Sequence, residues 1–155
     1  MFKIAICDDE NLVCAEIESI ITEYKSQYKD EIETEVFYSG NDLCNQMSMG
    51  NYYDLIFLDI EMQILNGVAV GRKIRGDMDN QTTQIVFVSA KDNYYRDLFE
   101  IRPQNFISKP IDASKIIAEI KKAQTLTGKL NGLFSFKIGH DTFKIPCKNI
   151  LWFES

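Results

Sequence analysis

The sequence predicts an α/β protein built on a doubly wound parallel sheet of five strands. Three observations carry this. Five apolar runs rich in Val, Ile and Phe recur at steady intervals. Stretches with helical spacing separate them. Strand and helix alternate throughout, which implies a parallel sheet with helices on both faces. Runs of this length and composition read as strands buried on both sides.

The elements follow in order. FKIAIC (2–7) is the first strand and ends in Asp8-Asp9. Residues 10–28 form a helix, with Leu12, Ile17, Ile20, Ile21 and Tyr24 mainly on one face. ETEVFYS (33–39) is the second strand, and a short helix over 41–49 follows Ser39-Gly40. DLIFLDI (54–60) is the third strand. The helix over 67–78 spaces Val68, Gly71, Ile74 and Arg75 at helical intervals. IVFVSA (85–90) is the fourth strand, followed by a short helix over 92–101. NFISKP (105–110) is the fifth strand. The last helix, 112–126, starts at Asp112, a favourable N-cap residue, and carries Ile116, Ile117, Ile120 and Ala123 as its apolar stripe.

Gly128 closes the repeat. LFSFKIG, HDTFKIP and KNILWFES then read as three β segments, with turn signals at 139–141 and Pro146. They are too few residues to bury a core of their own. The chain is therefore expected to hold one complete domain, 1–127, and at 128–155 a linker with the start of a second, β-rich one.

Composition excludes several classes. Of the 155 residues, 45% are apolar and 26% charged, as in a globular protein with a sizeable core. No run of about 18 apolar residues suggests a membrane span. The acidic N-terminus does not read as a signal peptide, so a cytoplasmic location is expected. Cys7, Cys14, Cys44 and Cys147 are scattered and His140 is the single histidine, which argues against zinc. Residues 1–128 carry a net charge of −8 and residues 129–155 carry +2. An acidic body disfavours nucleic-acid binding by the first domain.

A parallel sheet places all its strand ends on one edge, and ligands of such folds sit there. Asp8, Asp9, Asp59, Ser89 and Lys109 all fall on that edge. Clustered carboxylates repel, and a hard cation such as Mg²⁺ relieves this with one or two carboxylates plus other oxygens. Lys109 is a compact charge suited to a phosphate oxygen, and Ser89 offers a hydroxyl. Such a group is equipped to accept a phosphoryl on a carboxylate. Bland alternatives stand beside these readings. A strand-end aspartate often has no task, and Asp8-Asp9 also suit the start of a helix.

The segments CDDE (7–10), FLDIEM (57–62), FVSAKD (87–92) and NFISKP (105–110), in this order, resemble those of response-regulator receiver domains of the CheY-like family. The likeness covers roughly residues 1–125. It implies the flavodoxin-like strand order 2-1-3-4-5 and Asp59 as phosphoacceptor. It implies Asp8, Asp9, Asp59 and the main-chain carbonyl of Glu61 around Mg²⁺, Asp8 acting mainly through a water. Ser89 and Lys109 are then the phosphoryl-binding residues, with a cis Lys109–Pro110 bond. Phe106 resembles the switching aromatic, although a core role is nearly as consistent. Glu61 and Lys91 occupy positions that tune phosphoryl lifetime. Where many relatives carry Met-Pro, this chain reads MQILNG.

The tail from 135 to 155 resembles the opening strands of a LytTR-type DNA-binding domain. The resemblance therefore implies a non-enzymatic regulator phosphorylated by a sensor histidine kinase. Activation would act through the face formed by 92–101, the fifth strand and the last helix, with a homodimer as one outcome. Promoter DNA would be bound only by a complete C-terminal domain, and no membrane partner is implied. Two other readings are an atypical, unphosphorylated receiver that binds proteins and an aspartate-based phosphohydrolase with Glu61 as second acid.

Overall fold

The computed structural model describes residues 1–28, 31–90 and 98–137. The strands are β1 (Phe2–Cys7), β2 (Ile32–Phe37), β3 (Leu55–Asp59), β4 (Gln84–Ser89) and β5 (Asn105–Ser108). All pair in parallel, in the order β2-β1-β3-β4-β5. The helices are α1 (Asn11–Tyr28), α2 (Gly40–Ser48), α3 (Gly67–Arg72) and α4 (Ala113–Lys137). The fold class and strand order expected from the sequence are those observed.

Successive strand residues face opposite sides, so each strand feeds two cores. Ala5, Cys7, Ile56, Leu58 and Phe87 pack beneath α2 and α3 with Leu43, Val70 and Ile74. Ile4, Ile6, Phe57, Val86 and Ile107 pack against α1 and α4 with Ile17, Ile21, Ile116 and Ile120. Side chains this deeply buried stabilise by about 1.5–3 kcal/mol each. The register is thereby fixed, because a one-residue slip would exchange the two faces.

Three sequence expectations need correction. Leu12 is 85% exposed rather than part of the α1 stripe, and Cys14 is buried instead. Leu12 points away from the stripe formed by Cys14, Ile17, Ile21 and Tyr24, on the opposite side of the helix. The helix after β3 does not stay α-helical to 78. It passes into a π-helical turn at Lys73–Asp77, closed by the Met78 N–H on the Lys73 carbonyl (3.0 Å). That turn sinks Arg75, whose Nε donates to the Ile101 carbonyl (2.7 Å) and whose Nη1 donates to the Asn80 carbonyl (3.0 Å). Burial, with Arg102 nearby, pulls the Arg75 guanidinium down to about 10, so it stays charged at neutral pH.

Most of the helix expected over 92–101 lies outside the described residues; Leu98 is helical and a 3₁₀ turn follows at Phe99–Ile101. The third correction concerns a helix bound. Gly128 does not end the last helix. α4 runs to Lys137, so residues 133–137 are helical and not the first tail strand. Residues 130, 133 and 134 have the i, i+3, i+4 spacing of a helix as well as part of a strand's alternation, and Gly inside a helix costs only about 1 kcal/mol. The other expected tail strands, with His140 and Cys147, lie outside the described residues. The expected N-cap holds: Asp112 Oδ1 accepts from the Ser114 N–H (2.9 Å).

The turn after β3 depends on one glycine. A Cβ on Gly67 would lie 2.1 Å from the Asp59 carbonyl oxygen. Nothing larger fits without moving the strand end. Gly67→Ala is therefore expected to destabilise the domain by about 3 kcal/mol in urea unfolding. A loss below about 1 kcal/mol would show that the strand end yields.

Candidate functional site

The parallel register sets the site. Cys7 pairs with Leu58, so the next residues, Asp8 and Asp59, leave the sheet side by side. Asp59 pairs with Val88 and Ser89 with Ser108, which carries Lys109 to the same edge. The Lys109 N–H donates to the Ser89 carbonyl (2.9 Å), and the Lys109–Pro110 bond is cis, as expected.

Asp8 and Asp59 are each about 2% exposed. Asp59 Oδ1 accepts from the Glu61 N–H (3.3 Å) and lies 3.5 Å from the Lys109 ammonium. Asp59 Oδ2 is buried without a hydrogen-bond partner. Asp8 Oδ1 accepts from the Glu10 N–H (2.9 Å). Its Oδ2 lies 3.1 Å from Lys109 Nζ, an ion pair outside hydrogen-bond geometry.

The electrostatics follow. Burial, then the charge of Asp8, pushes the Asp59 carboxyl up to about 7, against the pull of Lys109. Burial also raises Asp8. For Lys109, burial lowers the ammonium's affinity for its proton, but the Asp8, Asp59 and Glu10 carboxylates outweigh it and the net shift is upward. The site therefore holds more negative charge than one ammonium balances. Two buried carboxylate oxygens without hydrogen-bond donors, in an all-oxygen donor set, fit a hard divalent cation such as Mg²⁺.

The remaining expected residues are placed less centrally. Asp9 is exposed and joins Asp8 and Glu10 in a group whose carboxylate oxygens lie within 4.8 Å of one another; Asp59 is not in that group. Ser89 is fully buried at the end of β4. Glu61 is exposed. Phe106 is half-buried and packs against the core under α2 and α3. Lys91 lies outside the described residues.

Two features escaped sequence reasoning. Glu10 reaches Lys109, with Oε1 3.3 Å from Nζ; its signal was its place as the third acid of Asp8-Asp9-Glu10. Ile64, in the loop after Asp59, has φ of 69° and is 96% exposed. The Leu65 N–H closes this turn on the Gln63 carbonyl (2.7 Å). A β-branched residue in this region is strained.

Fold and pocket together define a class: a doubly wound α/β domain with an aspartate-lysine cluster at the carboxyl ends of its strands. The match is specific, since the family model for the response regulator receiver domain covers residues 4–121. The chain belongs to that family. It is 31% identical over 123 residues to the response regulator ArlR of Staphylococcus aureus, a match covering 78% of this chain. It spans about half (52%) of the length of that relative. Its fold is similar to the response regulatory domain of mrkE from Klebsiella pneumoniae, at TM-score 0.70 and 28% identity, covering 81% of this chain and 97% of that one. It is similar also to TrrA from Thermotoga maritima in complex with Mg(2+)-BeF, at TM-score 0.66 and 24% identity, covering 79% and 99%.

Two outcomes are expected. The folded pKa of Asp59 lies above its unfolded value. Its contribution to stability is therefore complete below about pH 4 and lost as the pH rises through about 7. In chelator, Asp59→Asn should stabilise the domain on the order of 2 kcal/mol at about pH 8 and little at about pH 4. A pH-independent difference in urea unfolding would refute this. Ile64→Asn, which suits positive φ, should add about 1 kcal/mol, read as a higher urea midpoint. An unchanged midpoint would mean the turn holds no strain.

Proposed function

We propose that this domain is the phosphoacceptor of a two-component response regulator, taking a phosphoryl group on Asp59 from a sensor histidine kinase. The observation that carries the reading is Asp59 itself. It is a buried carboxylate with one oxygen lacking a donor and the other against an ammonium. A carboxylate kept without full compensation at a strand end is poised for an added group rather than for stability.

In this reading Asp59 is the nucleophile. Lys109 supplies the countercharge to the phosphoryl oxygens, and the Ser89 hydroxyl donates to another. Asp8, Asp9 and Asp59, with the main-chain carbonyl of Glu61, hold Mg²⁺, which when bound neutralises charge on the phosphoryl group. The Mg(2+)-BeF complex of TrrA supports that choice by analogy. Glu61 and Lys91 tune the lifetime of the acyl phosphate.

The added charge biases a two-state face that includes Phe106, β5 and α4, and dimerisation follows. Output passes to a LytTR-type domain, which binds promoter DNA when complete. The domain acts in the cytoplasm and turns over no substrate of its own. Among the described residues, no helix is long and apolar enough to cross a membrane.

The test is intact-protein mass after incubation with acetyl phosphate and Mg²⁺. One phosphoryl adduct is expected in the wild type, and none in Asp59→Asn or in chelator. A folded wild type without an adduct would leave the domain as an unphosphorylated binding module.

A further inference from the structure

The Lys109 ammonium is ringed by carboxylates. Three carboxylate oxygens lie around it: Asp8 Oδ2 at 3.1 Å, paired by charge alone, and Glu10 Oε1 at 3.3 Å and Asp59 Oδ1 at 3.5 Å, which accept hydrogen bonds from it. Two of these belong to buried carboxylates. The third does not, since the Glu10 side chain is 62% exposed. Glu10 is nevertheless held in place. Its N–H donates to Asp8 Oδ1 (2.9 Å), and its carbonyl accepts from the Cys14 N–H (3.2 Å) as α1 begins. The carboxylate is thus anchored on the solvent side of the ammonium.

We infer that Glu10 is a positioning residue that occupies, in the resting domain, the solvent-side lysine donor that would otherwise meet an arriving phosphoryl oxygen. This rests on the reading of Asp59 as the acceptor. With acetyl phosphate, an Asp59 carboxylate oxygen attacks phosphorus and forms a new O–P bond. The bond from phosphorus to the acetate oxygen breaks, acetate leaves with the electron pair, and no proton moves. The new phosphoryl oxygens need a donor from Lys109. Releasing Asp8 would strand a buried charge, whereas Glu10 is released into water at little cost.

Glu10 therefore yields first, and its charge also opposes an anionic donor on the way in. In the reverse sense, a water oxygen attacks phosphorus and the Asp59–phosphorus bond breaks toward Asp59. Both water protons stay with the departing phosphate, which leaves as dihydrogen phosphate. Glu10 returns to Lys109 and favours that state. The same contact slows uptake and shortens the lifetime of the adduct.

The experiment uses this chain with acetyl phosphate and Mg²⁺, following the adduct by intact mass and its decay after donor removal. Glu10→Gln should take up phosphoryl about two- to fivefold faster and keep it about two- to fivefold longer, the scale of an exposed ion pair. Its urea midpoint should match the wild type. Glu10→Asp retains the charge but is shorter by one methylene, so it separates contact from charge. If the contact matters, Glu10→Asp behaves as Glu10→Gln. Wild-type kinetics in Glu10→Gln would overturn the inference, and so would wild-type kinetics in Glu10→Asp, because charge alone would then explain the effect. A wild type that takes no phosphoryl removes the acceptor reading and this inference together. A normally labelled wild type with an indifferent Glu10→Gln removes only the inference.

Discussion

The structure turns on a single ammonium held among carboxylates. Asp8 and Asp59 emerge adjacent from paired strands and are both buried, which two like charges resist. Lys109, delivered from β5 on the other side of β4, is the described cation that makes their proximity tolerable. Its own main chain is fixed by the Ser89 carbonyl, so β4 sets where the charge sits. The two core layers then matter as a jig, since they hold three strand ends in register against their mutual repulsion.

The loops around this cluster are shaped by the same need. Gly67 lets α3 begin against the Asp59 carbonyl, and its N–H closes on the Ile60 carbonyl (2.9 Å). Asn66 caps the helix by accepting from the Ala69 N–H (2.9 Å). The acceptor strand and the following helix are thereby pressed together, and among the seven residues between them Ile64 takes a left-handed conformation. Strain of this kind persists only where surrounding contacts over-determine it.

Much of this was legible in the sequence because strand-end chemistry is local. Each of Asp8, Asp59, Ser89 and Lys109 follows its own apolar run, and alternation of elements places the runs in one parallel sheet. What stayed hidden depends on contacts that periodicity does not report. Arg75 fits the helical spacing, but its buried position is satisfied by carbonyls of Asn80 and Ile101, and the latter lies 26 residues away. Leu12 is apolar yet faces water, because at about 100° per residue it lies on the far side of α1 from Ile17 and Ile21. Residues 133–137 satisfy two periods at once, and the helix already running through α4 decides between them.

β5 is four residues long and lies at the sheet's edge. At its start, Glu119 on α4 accepts from Gln104 Nε2 (2.9 Å) and Asn105 Nδ2 (2.7 Å), while Arg75 grips the carbonyl of Ile101 just upstream. At its far end sits Lys109. The strand is mechanically a short cantilever, clamped at its root by a buried carboxylate and a buried guanidinium and loaded at its tip by the pocket. A force on the lysine is not absorbed by slack in a loop. It is delivered to the root, where it bears on α4 and on the π-helical turn together, so the chemistry of one edge is geared to the helices on both faces of the sheet.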